Sequence, residues 1–293
     1  MIYDIALAID YGYAARSDRS RTLMRLLPPD LPGAQTVLSR RLHIDPAPDE
    51  RRDWLDFFGN ATTSAVWHTP LNALRISVDL GVERLAPPPL TDLSPALADL
   101  PAALAAVRDL GARSPHHFRR PSARVAQVDA IETFARALAG PRDTVIETVQ
   151  SLGHALHAEM QFDAAATSVE TGPAQAFAQR RGVCQDFAHV MIAGLRALGV
   201  PAGYVSGFLR TEPPPGQPRL EGADAMHAWV SAWTGPATGW MAFDPTNDQW
   251  AGLDYVVVAQ GRDYLDVAPV LGSLRSAGGQ VSRHSVDMIP RAD

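Results

Sequence analysis

The sequence predicts an α+β fold in which an all-β, sandwich-like domain precedes a domain of helices packed on strands. Three observations support this prediction. Residues 1–86 contain runs of alternating apolar and polar residues, residues 184–198 repeat apolar residues at helical spacing, and residues 226–244 form two strand-like segments around a glycine-containing turn. We therefore expect an N-terminal β-rich domain over residues 1–86, a proline- and alanine-rich connector over 87–123, and a mixed domain over 124–293.

Alternation is strict in the first predicted strand. From Tyr3 to Tyr11 every second side chain is large and apolar or aromatic, and the residues between them are aspartate or alanine. A period of two is typical of a strand with one buried face. Similar runs cover residues 38–44 and 74–82, with turn-forming clusters between them, so the whole N-terminal domain is expected to be built from strands.

The connector begins with three consecutive prolines, a density that interrupts regular structure. We expect one short helix in it, near residues 96–110, and solvated side chains at His116 and His117. Two further helices are predicted at residues 127–138 and 142–160.

The second of these helices carries His154, His157 and Glu159. Their spacing matches no established zinc motif, and no cysteine is near them in sequence. We therefore expect no metal site there. A proline-rich segment over residues 213–218 is expected to be a loop without regular pairing, either shaping access to a site or making a plain surface excursion.

Composition narrows the classes of function. The chain has 46% hydrophobic residues and a net charge of -6, and its basic residues are scattered, so nucleic acid is not an expected partner. No run is long and apolar enough to cross a bilayer, and the N-terminus lacks the pattern of a secretory signal. One cysteine allows no internal disulfide, which fits a cytoplasmic location.

That single cysteine, Cys184, lies at the predicted start of the helix over residues 184–198. The N–H groups of a first helical turn have no partner within the helix, and the helix dipole places partial positive charge there. Both effects favour the thiolate, which is the nucleophilic form. The alternative is that Cys184 is a small, inert, buried side chain.

A base for this thiol is offered by the predicted hairpin. A two-residue loop would place His227 directly opposite Asp244, whereas a four-residue loop would make Asp244 its diagonal neighbour, and both registers keep the two side chains on one face. A carboxylate that accepts the imidazole N–H fixes the tautomer and leaves the other nitrogen to act as a base. An ordinary surface histidine and aspartate would have the same spacing.

Four segments resemble the transglutaminase-like superfamily of cysteine enzymes, specifically the bacterial proteins that join a β-rich N-terminal domain to a transglutaminase core. They are GVCQDFAH from Gly182, GVPAGYVSGFL from Gly199, MHAWVSAW from Met226 and WMAFDPTN from Trp240. The segments YDIALAIDYGY, FFGN and GRDYLDVAPVLG are also similar to stretches of those proteins, so the resemblance covers nearly the whole chain.

The resemblance implies a papain-like core, with the cysteine-bearing helix packed against an antiparallel sheet, as the catalytic domain over residues 124–293. It also implies Cys184 as nucleophile, His227 as general base and acid, and Asp244 as the residue that orients the histidine. Family members commonly have arginine where this chain has Gly203, which puts in doubt any contact made by that arginine.

The implied reaction is attack of Cys184 on the carbonyl of a peptide or protein amide, giving a thioester. We expect hydrolysis by water, with transfer to an amine, as in a protein-glutamine transglutaminase, as one alternative and a catalytically silent binding module as another. The backbone N–H of Cys184 is an expected oxyanion donor, and Gln150, Gln161 and nearby tryptophans are candidates for the second. No cofactor, calcium site or membrane contact is expected, and the oligomeric state is not predicted.

Two further groups have alternative interpretations. Trp229, Trp233 and Trp240 alternate toward the face of His227, where they either wall the site or pack in the core. Asp186, in the first turn of the Cys184 helix, is expected to cap that turn rather than take part in the chemistry.

Overall fold

The N-terminal region is a pair of four-stranded antiparallel sheets that face each other across an apolar core. In the computed structural model, which describes residues 1–14, 20–211, 224–274 and 279–291, the first strand buries Tyr3, Ile5, Leu7 and Ile9 as its alternation predicts. The strands that this region contributes are β1 (Ile2–Tyr13), β2 (Ser20–Leu27), β3 (Gln35–Asp45), β4 (Glu50–Leu55), β5 (Ala61–Trp67) and β6 (Ala73–Arg84).

The connector folds back on itself instead of running extended. A 3-10 turn (Leu97–Asp99) leads into α1 (Leu100–Ala106), and a second 3-10 turn spans Pro115–Phe118. The predicted helix thus ends before Val107, whose backbone is extended. The ring nitrogens of His116 and His117 bond the carbonyls of Val107 and Leu110 at 3.0 Å, so these histidines fasten the fold of the connector.

A layer of helices follows. It consists of α2 (Asp129–Leu138), α3 (Val145–Glu159), α4 (Pro173–Gln179) and α5 (Cys184–Ala197), with the two-residue strands β7 (Gln161–Phe162) and β8 (Arg181–Gly182) paired in parallel. The start of α3 differs from the prediction. The Thr144 hydroxyl accepts the N–H of Glu147 at 3.1 Å, and the Glu147 carboxylate accepts the Thr144 N–H. This capping box starts the helix after Thr144 and not directly after Pro141, as predicted.

A five-stranded antiparallel sheet separates the helices from the N-terminal region. Its strands are β9 (Ala202–Leu209), β10 (Ala225–Trp233), β11 (Trp240–Asp244), β12 (Gln249–Trp250) and β13 (Tyr255–Gly261), in the spatial order β12-β11-β10-β9-β13, and α6 (Tyr264–Val267) follows. Ala228 and Val230 join the helical core around α5, whereas Phe208, Val256 and Val258 join the sandwich core. The predicted α+β class is confirmed: a helix that starts at the cysteine packs on an antiparallel sheet beside a strand-rich N-terminal region.

The last two strands return to the N-terminal region. β14 (Val270–Leu274) pairs with β2, and β15 (Gln280–Pro290) pairs with β1 over eleven positions, from Tyr3 opposite Pro290 to Tyr13 opposite Gln280. These residues belong to the predicted mixed domain over residues 124–293. Val286 and Met288 are buried in the sandwich core, so this final segment completes the fold of the first region.

Two side-chain amides join the sandwich to the edge of the central sheet. Gln35 donates to the carbonyl of Val257 and accepts its N–H, both at 2.9 Å. Asn60 likewise donates to the carbonyl of Gln260 at 2.9 Å and accepts its N–H at 2.8 Å. Because β13 is an edge strand, these amides satisfy backbone groups that would otherwise be open.

Among the helices of the described ranges, none combines the length and the apolar composition needed to cross a bilayer. The proline-rich loop predicted at residues 213–218 lies outside the described residues.

Candidate active site

Cys184 is the first residue of α5, and its side chain is half-buried. Asp186 closes the first turn, because its Oδ2 accepts the Val183 N–H at 2.8 Å and the Thr167 hydroxyl at 2.6 Å. A Cβ at Gly182 would lie 2.6 Å from the same oxygen, so glycine is required just before the helix. The expected capping role of Asp186 is confirmed, and the turn around the thiol is held by a buried carboxylate.

The hairpin of β10 and β11 adopts the second of the two predicted registers. The Thr234 N–H donates to the carbonyl of Gly239 at 2.8 Å, which closes a four-residue loop. The ladder then pairs Val230 with the residue before Asp244. Asp244 is therefore the diagonal neighbour of His227, within reach of its ring.

The imidazole and the carboxylate are in direct contact. His227 Nε2 lies 2.7 Å from Asp244 Oδ2, and the two side chains are 10% and 0% exposed. Because Asp244 occupies Nε2, Nδ1 is the ring nitrogen left for the thiol of Cys184, which is close enough to the ring to contribute to its raised pKa. The structure thus brings together the three side chains that the sequence singled out.

The electrostatics of this group favour charge separation. Burial by itself lowers the pKa of His227, but the hydrogen bonds to Asp244 and Cys184 and the charges of these groups outweigh burial and raise it to about 10. Burial raises the pKa of Asp244, yet the hydrogen bond and charge of His227 hold it below its usual value. At neutral pH the pair is therefore imidazolium and carboxylate.

Asp244 is held by more than the histidine. Its Oδ2 also accepts the Tyr255 hydroxyl at 2.8 Å and the Asn247 amide at 2.7 Å, and its Oδ1 accepts the backbone N–H of Thr246 at 2.9 Å. Gln249 donates to the Tyr255 hydroxyl at 2.7 Å. Neither Asn247 nor Tyr255 was predicted from the sequence as part of the site. Asn247, three residues after Asp244, has the spacing of a local turn, whereas Tyr255 comes from β13 and carries no local signal.

Helix α3 fastens the loop that carries these groups. His154 Nδ1 bonds the Asp248 carboxylate, and His157 Nδ1 bonds the carbonyl of Thr246 at 3.0 Å. Gln150, considered above as an oxyanion donor, contacts His154 Nε2 at 3.0 Å instead. The two histidines that were considered as metal ligands therefore position the turn after Asp244.

An aromatic wall encloses one side of the imidazole. The ring of Trp229 stacks on His227 with centroids 6.2 Å apart, and Tyr255 packs on both, while Trp229 and Tyr255 are fully buried. Trp233 packs in the helical core, and Trp240 contacts Phe118 and the connector. Of the three tryptophans, Trp229 is thus both core and wall, and its apolar surface strengthens the ion pair by excluding water.

A second histidine lies behind the nucleophile. His189, one and a half turns after Cys184, is buried against Tyr204, and its Nε2 accepts the N–H of Tyr264 at 3.2 Å. Burial lowers its pKa to about 4, so it is neutral at neutral pH. At neutral pH His189 is therefore uncharged, whereas His227 is an imidazolium.

The departure at Gly203 has a local cause. A Cβ at this position would lie 2.7 Å from the carbonyl oxygen of Gly261 and 2.8 Å from the ring of Phe118. No larger residue fits while Phe118 of the connector packs there.

Comparisons with known proteins agree with this architecture. The family model described as the transglutaminase-like superfamily matches residues 132–245, and the one described as the bacterial transglutaminase-like N-terminal region matches residues 3–83. An uncharacterized protein of Mycobacterium tuberculosis is 37% identical over 269 residues, covering 87% of this chain and 82% of that protein.

The fold is also shared with a solved structure. The crystal structure of a candidate cysteine protease from Cytophaga hutchinsonii has a TM-score of 0.72 and 22% identity, covering all of this chain and 92% of that one. A protein-glutamine gamma-glutamyltransferase of Pseudomonas aeruginosa is 41% identical over 71 residues, which are 24% of this chain and 10% of that protein.

Proposed function

Since this chain belongs to the transglutaminase-like superfamily and is a cysteine-dependent enzyme, we propose that it hydrolyses a peptide or protein amide bond through a triad of Cys184, His227 and Asp244. The observation that carries the proposal is the buried 2.7 Å contact between His227 and Asp244 beside a thiol at a helix N-terminus. This is the arrangement that a nucleophile, its base and an orienting carboxylate require.

Acylation follows from the charge state of the site. The Cys184 thiolate attacks the amide carbonyl carbon and forms a C–S bond, and the carbonyl oxygen becomes an oxyanion. His227, as the imidazolium, gives its Nδ1 proton to the leaving nitrogen as the C–N bond breaks. The free amine departs, the acyl group remains as a thioester on Cys184, and His227 is left neutral with its Nε2–H on Asp244.

In deacylation His227 is reprotonated, this time by water. Neutral His227 accepts a proton from water as the hydroxide oxygen bonds to the thioester carbon, and the C–S bond then breaks. The acid product leaves, and the thiolate and imidazolium are restored. No step requires a cofactor.

The oxyanion needs donors at the start of α5. The backbone N–H of Cys184 is one, because first-turn N–H groups have no helical partner. Gln161 and the nearby tryptophans remain candidates for the second donor, and Gln161 is placed close by because β7 pairs with β8 directly before the nucleophile.

Transfer of the acyl group to an amine is the second candidate function. It is favoured by the local similarity to the Pseudomonas aeruginosa protein-glutamine gamma-glutamyltransferase. Both functions share the thioester, and they differ only in whether water or an amine attacks it.

The test is intact-protein mass spectrometry with a library of activated peptide amides. The wild type should gain the mass of one acyl group, and Cys184→Ser should release no amine by the thioester route. Adding a labelled primary amine then separates the two functions: hydrolysis gives free acid at every amine concentration, whereas a transamidase gives mostly the labelled amide. Amide cleavage that persists undiminished in Cys184→Ala would overturn the proposal, and a wild type that forms no acyl adduct and releases no amine would favour a catalytically silent domain.

A further inference from the structure

A cavity of about 350 Å³ lies where the sandwich, the connector and the segment after β13 meet. This volume is within the range of small-molecule sites. Arg25 and Phe57 line it from the sandwich, His117 from the connector and Arg262 from the segment before α6. None of these side chains contacts the proposed triad in the bonds described above, so the cavity is a separate place in the molecule.

The carboxylates of this cavity are already occupied. Asp56 accepts four hydrogen bonds: from Arg25 Nε at 2.9 Å, from the backbone N–H groups of Phe58 and Asn60, and from the Asn60 amide. Asp266 accepts three, all from Arg262. Neither carboxylate needs a further donor, so what the cavity offers a ligand is donors and not acceptors.

One nitrogen of a lining arginine is buried and without an acceptor. Within the described residues, Arg25 Nη1 has no hydrogen-bond acceptor although it is shielded from solvent. A buried donor without an acceptor is costly, and an anionic oxygen is the acceptor that a guanidinium prefers. Arg262 also lines the cavity, with its guanidinium 5.7 Å from the ring of Phe58 and 47% of its side chain exposed.

The other wall of the cavity is aromatic. Phe57 is 60% exposed although its ring is held edge-on by Phe58 and His117, both with centroids 5.1 Å away. His117 Nε2 bonds a carbonyl oxygen, which only accepts, so that nitrogen carries the proton. An exposed phenylalanine fixed by two rings beside guanidinium groups is a surface for a planar apolar group.

We propose that this cavity binds a small organic anion, with its carboxylate against Arg25 and Arg262 and an aromatic ring against Phe57. The FFGN segment builds the site: Phe57 supplies the apolar surface, and Asp56 and Asn60 fix the turn that presents it. The proposal does not depend on the proposed function, because no residue of the triad takes part.

Isothermal titration of the full chain with N-acetyl-phenylalanine tests it. Two matched probes each lack one part: N-acetyl-phenylalaninamide has the ring without the charge, and acetate has the charge without the ring. We expect saturable binding of the first probe at millimolar or lower concentration, and binding about tenfold weaker for each of the others.

Variants locate the site. Phe57→Ala and Arg262→Gln should each weaken binding of N-acetyl-phenylalanine about tenfold, whereas Phe162→Ala, which alters a phenylalanine of similar exposure (56%), should leave it unchanged. Thermal unfolding of each variant confirms that it folds. Absence of saturable binding, or binding that survives Phe57→Ala, overturns the proposal, and binding lost only in Phe162→Ala would assign the probe to the surroundings of Cys184.

Discussion

Two buried histidines in the helix-and-sheet region have pKa values that move in opposite directions. The pKa of His227 is raised to about 10, whereas the pKa of His189 is lowered to about 4. Burial lowers the pKa of both rings. Only His227 has a carboxylate at hydrogen-bond distance, while the Nε2 of His189 faces a backbone N–H that can only donate. The partner of each ring, and not burial, therefore decides which histidine is charged at neutral pH.

A third histidine has a carboxylate partner but is not buried. His68 lies 2.8 Å from Glu50, nearly the distance in the His227 pair, but these side chains are 55% and 67% exposed. Water and salt screen such a pair, so it adds little to stability or reactivity. Burial and a carboxylate are needed together, and this chain combines them beside its one cysteine.

The largest expected effect compares His227 with His68. His227→Ala should lower kcat/KM about 10⁴-fold, because both the acid and the base of the proposed reaction are lost. His68→Ala should change it less than about twofold. Steady-state kinetics on an activated peptide amide measure both, and equal losses in the two variants would contradict the proposed role of His227.

Removing the carboxylate should move the charge of the histidine. Asp244→Asn should lower kcat/KM roughly 10³-fold. Because Asp244 helps to raise the pKa of His227 to about 10, the loss of activity that accompanies imidazolium deprotonation should move to lower pH. A pH–rate profile measures the shift, and Glu50→Gln provides the matched control, with an unchanged profile.

His189 should make the fold sensitive to acid. Its pKa is about 4 in the folded state against an ordinary value of 6.5, so the unfolded chain binds a proton first as the pH falls. The contribution of neutral His189 to the free energy of unfolding is fully present above pH 6.5. It declines as the pH falls from 6.5 to 4, by up to about 3 kcal/mol.

Urea unfolding at a series of pH values measures this contribution. His189→Gln removes the titrating group and keeps an acceptor available for the Tyr264 N–H, so its stability should fall less steeply between pH 6.5 and 4 than that of the wild type. Curves that run parallel through this window would contradict the assignment.

The smallest expected effect concerns the hydroxyl that supports Asp244. Tyr255→Phe removes one of its three side-chain donors and should lower kcat about tenfold with little change in KM, because the ring of His227 loses orientation and not substrate contact. Tyr3→Phe removes a hydroxyl bond of the same 2.8 Å length to Asp254 and should change kcat less than about twofold. Equal effects would assign Tyr255 a purely structural role.

The sequence predicted the parts of the site that depend on local pattern. The start of α5 at Cys184 followed from helical spacing, and strand composition placed His227 and Asp244 on one hairpin. The choice between its two registers required the backbone itself, since Gly235 and Gly239 adopt positive φ and close the four-residue loop. Tyr255 and the α3 histidines reach Asp244 from distant segments, and no local pattern encodes such contacts.

In the fold, too, local patterns were predicted and contacts between distant segments were not. Strands β1, β3 and β6 were predicted by their alternation, whereas β4 was not, because all six of its residues are exposed and four of them are charged. The return of β14 and β15 to the N-terminal sheets is a pairing between the two ends of the sequence. Such long-range pairing is decided by the packing of Val286 and Met288 in the sandwich core.

The pairing of β1 with β15 also sets an order of events during synthesis. β1 leaves the ribosome long before its neighbour β15, and β2 before its neighbour β14, so one side of each strand lacks its hydrogen-bond partner while the intervening residues are made. Unpaired strand edges are sites of aggregation in partly made chains. The N-terminal region is therefore the first part of this sequence to be made and among the last to be completed, and a nascent chain stopped after residue 261 leaves one edge of β1 and one edge of β2 without their partners.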